Sequence, residues 1–320
     1  MLCFPAWALD HRQVALVVNT LDPLSVEIGK YYARRRQIDF QNVVRVAFEP
    51  KASLSAEEFD VIKRQVDAQL RPMVQAFALA WAAPWRVECM SITSAFAFGF
   101  DPASCAWGCK PTPFSRYFAS PSRAPFTDLG MRPAMLLAAT SLDEAKALID
   151  RGVAADGTHP EGTAYLLTTA DGARNVRSPG YGLARRVAKG RLPLRILRQD
   201  ALTYRTDVLF YFTGKARVSG LDTLHFLPGA IADHLTSSGG ALTGRNGQMS
   251  ALAWLEAGAT ASYGTVVEPC NLPQKFPHPA VAIAHVLRGE TVIEAYWKSV
   301  RMPGQGVFVG EPLAAPFRPR

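Results

Sequence analysis

The stretch QVALVVN, residues 13–19, reads as a buried strand: a short apolar run rich in valine. DPLSVEIGKYYARRR follows at 22–36, with Pro23 in a first helical turn and Val26, Ile28, Tyr32 and Ala33 at roughly helical spacing. NVVRVAF at 42–48 is a second strand. Ser55 and Glu58 then form a capping box. The helix they open carries Phe59, Ile62, Val66, Leu70 and Val74 on one face and is expected to run to about Phe77, where a third strand begins. Strands alternating with helices in this way argue an α/β fold, a mostly parallel sheet flanked by helices.

The rhythm breaks at 90–133, an irregular loop rich in proline and aromatic residues, and then resumes. Strands are expected at 134–139, 164–169, 194–197, 207–212 and 259–267. Helices are expected at 141–151 with Gly152 as C-cap, at 181–189, at 248–257, at 278–288 and at 290–299. His278 and His285, seven apart, are expected at the surface. No Ser/Gly linker separates the two α/β halves, about 10–133 and 134–320, so they are expected to share one interface or one sheet as a single unit.

Composition narrows the function classes. The chain has 320 residues, 48 % hydrophobic and 19 % charged, which excludes a disordered polymer. No apolar run approaches the ~18–20 residues of a membrane span. Lys and Arg exceed Asp and Glu by 35 − 27 = +8. That excess is scattered, with tight runs only at Arg34–Arg36 and Arg185-Arg186, so no nucleic-acid surface is expected.

Cysteines stand at 3, 89, 105, 109 and 270. Cys105 and Cys109 lack a second pair or a nearby histidine, so no metal and no cofactor are expected. A disulfide between those two, or from Cys89 to one of them, suits an exported protein. Residues 1–9 are expected to be the remnant of a signal peptide, since Ala6-Trp7-Ala8 matches a leader-peptidase pattern. Cleavage after Ala8 removes Cys3 and leaves four cysteines. The chain is then expected to be exported or periplasmic, and otherwise cytoplasmic.

In parallel sheets, ligands bind beyond the carboxyl ends of strands. Three such ends carry chemistry: Thr213-Gly214-Lys215; Asp233-His234 with Thr236, Ser237, Ser238, Gly239 and Gly240; and Glu268 with Cys270 and Asn271. Backbone N–H groups of a Ser/Thr/Gly cluster can hold an anion or oxyanion. A histidine beside them can serve as base, and Cys270 can serve as nucleophile if a neighbour lowers its pKa. The plainer readings are loop hydrogen bonding for Asp233 and His234, left-handed turn glycines at Gly239-Gly240, and an inert thiol at Cys270. No G-x-S-x-G, P-loop, H-E-x-x-H or G-x-G-x-x-G pattern is present, which argues against those enzyme classes.

The long stretches CMSITSAFAFGFD (89–101), LAATSLDEAKALIDRGV (137–153), PGAIADHLTSSGG (228–240), GATASYGTVVEPCN (258–271), EAYWKSV (294–300) and VGEPLAAPF (309–317) resemble an exosortase-associated bacterial family. The resemblance covers the chain from about residue 10. That family is distantly similar to gingipain-type cysteine peptidases, which implies a three-layer, caspase-like fold. The peptidases carry a Tyr-Thr-Gly-His-Gly-like segment. The similar segment here is Phe212-Thr213-Gly214-Lys215-Ala216, so Lys215 stands where the catalytic histidine would be. The cysteine position falls near Asp233 or His234, neither a thiol. The resemblance therefore implies a scaffold without the His-Cys dyad. Two functions are weighed: an envelope-associated protein that binds a protein or small ligand in the degenerate cleft, and a cysteine hydrolase with a relocated site. In the second, Cys270 is the nucleophile, His234 the base, and Asp233 or Glu268 the orienting group.

Overall fold

A computed structural model describes residues 8–106, 109–244 and 247–319. The Ala6-Trp7 part of the leader-like motif lies outside the described residues. The first half contains β1 (Val14–Asn19), α1 (Pro23–Arg36), β2 (Val43–Val46), β3 (Ser53–Leu54), α2 (Ala56–Asp67), β4 (Ala76–Leu79), β5 (Arg86–Val87), β6 (Met90–Ser91), α3 (Ile92–Phe98) and α4 (Pro125–Leu129). The second contains β7 (Ala134–Leu136), α5 (Leu142–Ala155), β8 (Thr163–Thr168), α6 (Tyr181–Ala188), β9 (Leu194–Arg198), β10 (Arg205–Gly214), β11 (Leu224–Leu235), α7 (Leu252–Glu256), β12 (Ala261–Thr265), α8 (Pro279–Leu287), α9 (Val292–Ser299) and β13 (Gly306–Gly310).

Ten strands form one sheet in the order β2-β1-β4-β7-β13-β12-β11-β10-β8-β9, and β3, β5 and β6 form a small separate sheet. Every neighbour pair of the large sheet is parallel except β12 with β13, which run antiparallel from Ala261↔Gly310 to Thr265↔Gly306. This seam reverses the sheet. The carboxyl ends of β10, β11 and β12 therefore share one edge, opposite the carboxyl ends of β1, β4 and β7.

Strands buried on both faces explain the continuous apolar runs. Val14, Leu16 and Val18 of β1 join the core that holds α1, α5, α8 and α9, while Ala15 and Val17 join the one that holds α2 and α3. Local capping sets the helix starts. The Asp22 carboxylate accepts from Leu24 N at 3.0 Å, and Ser55/Glu58, Ser141/Glu144 and Thr291/Glu294 form complete capping boxes. Among the described residues, no helix is long and apolar enough to cross a membrane.

Several expected elements change. Helix α2 stops at Asp67, ten residues before Phe77, because Pro72 disfavours helical backbone at Arg71. The side-chain amide of Gln69 instead meets the edge strand: it donates to Arg45 O at 3.1 Å and accepts from Arg45 N at 3.2 Å, so β2 has fewer free ladder groups. The loop at 90–133 contains a buried helix, α3, capped by Ser91, whose Phe96 ring meets those of Phe59 and Phe77 edge-on at 5.3 and 5.8 Å. The helix expected at 248–257 is confined to Leu252–Glu256. His285 is buried against Glu290, with His285 Nδ1 and Glu290 Oε2 2.9 Å apart, and His278 is half-buried rather than on the surface.

Gly152 caps nothing, since α5 continues to Ala155. It is needed for a close approach: a Cβ there would lie 2.4 Å from Cγ of Glu311. Through that gap Glu311 reaches Arg36 Nε at 2.9 Å and the Tyr32 hydroxyl at 2.9 Å. Arg36 also pairs with Asp156. The VGEP segment is thereby tied to α1 and α5.

Candidate functional site

Strands β10, β11 and β12 are neighbours, so the three strand ends singled out from sequence converge on one edge. In the β10/β11 register, Phe212 faces Asp233 and Thr213 faces His234. Gly214 is required where it stands, because a Cβ would lie 1.9 Å from the carbonyl oxygen of Arg174. Lys215 points outward and pairs with Asp200, its Nζ 2.6 Å from Oδ2. Hydrogen bonds from Ala170 N and Lys215 hold the Asp200 carboxyl below its ordinary range.

Asp233 is buried, and its partner is Arg177, with NH2 2.5 Å from Oδ1. The same nitrogen donates to the carbonyls of Thr213 at 2.7 Å and Asp233 at 3.2 Å, and the guanidinium lies 5.3 Å from the Phe212 ring centre. Tyr296 of α9 donates to Asp233 Oδ2 at 3.4 Å. Burial pushes the Asp233 carboxyl up, opposed by the charge of Arg177. Arg177 lies in the irregular stretch before α6, and nothing in its spacing marks it; its role emerges only from contacts with β10 and β11.

His234 is 1 % exposed and has both ring nitrogens engaged. The Trp254 indole N–H donates to Nδ1 at 2.9 Å, and Nε2 bonds the Met249 carbonyl at 3.0 Å. Because indole only donates and a carbonyl only accepts, this fixes the neutral tautomer with the proton on Nε2. Burial above all, with the charges of Arg177 and Arg174, pushes the pKa down to about 3. A base needs a free nitrogen facing a substrate, and His234 has none, which corrects its expected role.

Cys270 is corrected too. Its sulfur is bonded to that of Cys109, with Cα atoms 5.3 Å apart, so it offers no thiolate. Cys89 is bonded to Cys105. Glu268 accepts from the Cys270 backbone N–H at 2.7 Å and so orders the turn rather than a catalytic base. Glu268 and Asn271 are exposed at the rim.

The Ser/Thr/Gly cluster is folded back onto β12. The Thr265 hydroxyl donates to the carbonyls of Thr236 and Ser237, each at 3.0 Å, and Gly240 N donates to Thr265 O at 2.9 Å. Ser238 N donates to Gln248 Oε1 at 3.0 Å. Two of the amides expected to face an oxyanion are thus already bonded. The Thr236 hydroxyl donates to the same Gln248 oxygen at 2.5 Å and accepts from Arg174 Nε at 3.2 Å. Gly239 and Gly240 are not left-handed turn glycines. They allow two backbones to touch: a Cβ on Gly264 would sit 2.3 Å from Gly239 C, and one on Gly240 would sit 2.6 Å from Gly264 O.

The edge therefore has a sealed floor of Arg177, Asp233 and His234, and a rim carrying Lys215, Ser237, Glu268 and Asn271. Its geometry suits contact with another molecule; the groups expected to do chemistry are committed to one another.

No family model and no curated protein matches the chain. Among solved structures it aligns with the complex of Porphyromonas gingivalis RgpB pro- and mature domains, at 8 % identity and a TM-score of 0.51, over 95 % of this chain and 79 % of that one. The chain has a caspase- and gingipain-like fold. The whole ten-stranded sheet with its flanking helices belongs to that likeness, which at this identity concerns the fold alone.

Proposed function

We propose that this chain is a non-peptidase relative of the caspase-like peptidases, exported to the bacterial envelope, that binds a protein or small ligand at the carboxyl edge of β10–β12. One observation carries the reading. At the positions that resemble the peptidase dyad, the chain has Lys215 in a surface ion pair and Asp233 and His234 sealed in the core. An ammonium with an ordinary pKa near ~10.4 does not replace an imidazole as a base at neutral pH. Two disulfides support export, since oxidising compartments preserve them.

Two expected results follow from this reading. The purified chain should leave a peptide library uncut in reducing and non-reducing buffer; turnover lost in Cys270→Ala would overturn the non-peptidase reading. A photo-crosslinker at Ser237 should trap one envelope component that a crosslinker at the exposed Lys189 does not; identical patterns would count against the binding edge. Separately, non-reducing peptide mapping of the exported chain should yield Cys89–Cys105 and Cys109–Cys270 pairs. A free Cys270 thiol would contradict the export reading.

A further inference from the structure

Leu9 is where the chain enters the core. Its side chain is fully buried, its carbonyl accepts from Arg318 NH2 at 3.1 Å, and its N–H donates to Glu294 Oε2 at 3.1 Å. Glu294 is 0 % exposed. Its Oε2 also accepts the N–H of Thr291 at 3.0 Å and the hydroxyl of Thr291 at 2.6 Å, whereas Oε1 has no hydrogen-bond partner. Nearby, Lys298 donates to Glu290 Oε2 at 2.7 Å, and His285 Nδ1 lies 2.9 Å from the same oxygen. Tyr117 has its ring centre 5.0 Å from Lys298 Nζ, and its buried hydroxyl also lacks a partner.

The charges in this enclosure do not balance. Two carboxylates, Glu290 and Glu294, face one permanent ammonium, Lys298, and an imidazole that is charged only when protonated. A buried carboxylate oxygen without a donor is costly. Burial pushes the Glu294 carboxyl up, with Lys298 only partly opposing it. One more cation with several N–H donors would complete the cluster, and the Leu9 nitrogen already stands in contact. Immediately before it lies Ala6-Trp7-Ala8, with small residues one and three positions before the Ala8–Leu9 bond.

We propose that the chain is cut between Ala8 and Leu9, and that the new α-ammonium of Leu9 completes the buried cluster by pairing with Glu294. A leader peptidase catalyses the cut by hydrolysis. Water supplies the oxygen of the new Ala8 carboxylate, and the amide nitrogen leaves as the Leu9 amine, which takes up a proton. Three N–H donors then replace one, so both oxygens of Glu294 can be engaged and the enclosed charges balance. The pairing locks the mature N-terminus to α9, the helix whose Tyr296 touches Asp233 at the floor of the site. The proposal rests on the export part of the reading above and not on the binding edge.

The test compares a chain beginning at Leu9 with one beginning at Ala8, each made by removing an N-terminal fusion, and each with and without Glu294→Gln. The extra residue moves the ammonium about 3.8 Å along the chain. The Leu9 chain is expected to melt about 5 °C higher, and Glu294→Gln is expected to erase the difference. Equal melting of the two Glu294 chains overturns the proposal. Amine labelling under native conditions, read by mass spectrometry, decides even if Glu294→Gln does not fold: the Leu9 amine should react at least ~10-fold more slowly than the Ala8 amine, a factor worth about 1.4 kcal/mol of protection. Equal labelling overturns the pairing. An exported chain that retains Leu2–Ala8 overturns the cut, whatever the peptide-library and crosslinking experiments return.

Discussion

Arg177→Met is expected to cost about 3–5 kcal/mol of unfolding free energy at neutral pH, the range for breaking a buried ion pair by removing one partner. The side chain of Asp233 is 1 % exposed and that of Arg177 4 %, so water cannot take over the role of the guanidinium. The carbonyls of Thr213 and Asp233 also lose a donor at the junction of β10 and β11. Arg177→Met with Asp233→Leu should recover much of the loss, because it removes the stranded carboxylate, but not all, because those carbonyls remain unpaired. The deficit of the single variant should also depend on pH. Burial already raises the Asp233 pKa, and without the opposing charge of Arg177 it rises further. A carboxyl whose folded pKa lies above its unfolded one contributes stability at low pH and loses it as pH rises through the folded value. The variant should therefore approach the parent near pH 4 and fall furthest behind it at pH 7 and above. Urea unfolding at the two pH values checks this, and a loss under about 1 kcal/mol at pH 7 would show that the pair does not hold the sheet together.

What could be read in advance was local. Ser55 with Glu58 and Ser141 with Glu144 bond within one turn, so their residue types alone announce α2 and α5. Strands such as VALVVN are buried on both faces and show as runs. The strand-end rule selected the right edge for the same reason, since each end is a short polar segment after a run. What those residues do there was set at long range. Cys270 is bonded to a cysteine 161 positions away, and His234 is occupied by Trp254 and Met249 from the segment after its strand. Gly152 has the signature of a helix end but serves the side chain of Glu311, 159 residues later. The antiparallel β13 was hidden because GVFVG is short and is paired only through the fold. The leader-like motif at Ala6–Ala8 gained physical content from the same kind of distant contact, through Glu294.

The second large effect concerns acid. The folded chain holds His234 neutral down to about pH 3, whereas the unfolded chain protonates it near 6.5. Its folded pKa is depressed, so between those values the unfolded state binds one more proton than the folded state. Stability from this residue is complete above about pH 6.5 and drains as pH falls toward about 3, at about 1.4 kcal/mol per pH unit. By pH 4.5 the loss should reach about 2.7 kcal/mol, apart from what other groups contribute. His234→Gln isolates that share, because an amide can still accept from Trp254 and donate to Met249 but does not titrate. The variant is expected to start somewhat below the parent at pH 7.5, where the imidazole fits better, and to lose less on acidification, so that the two curves converge or cross between pH 6 and 4.5. Parallel curves would mean that His234 takes up its proton in the folded state, which requires the Trp254 N–H to leave Nδ1 and would return the imidazole to the list of groups able to carry protons at this edge.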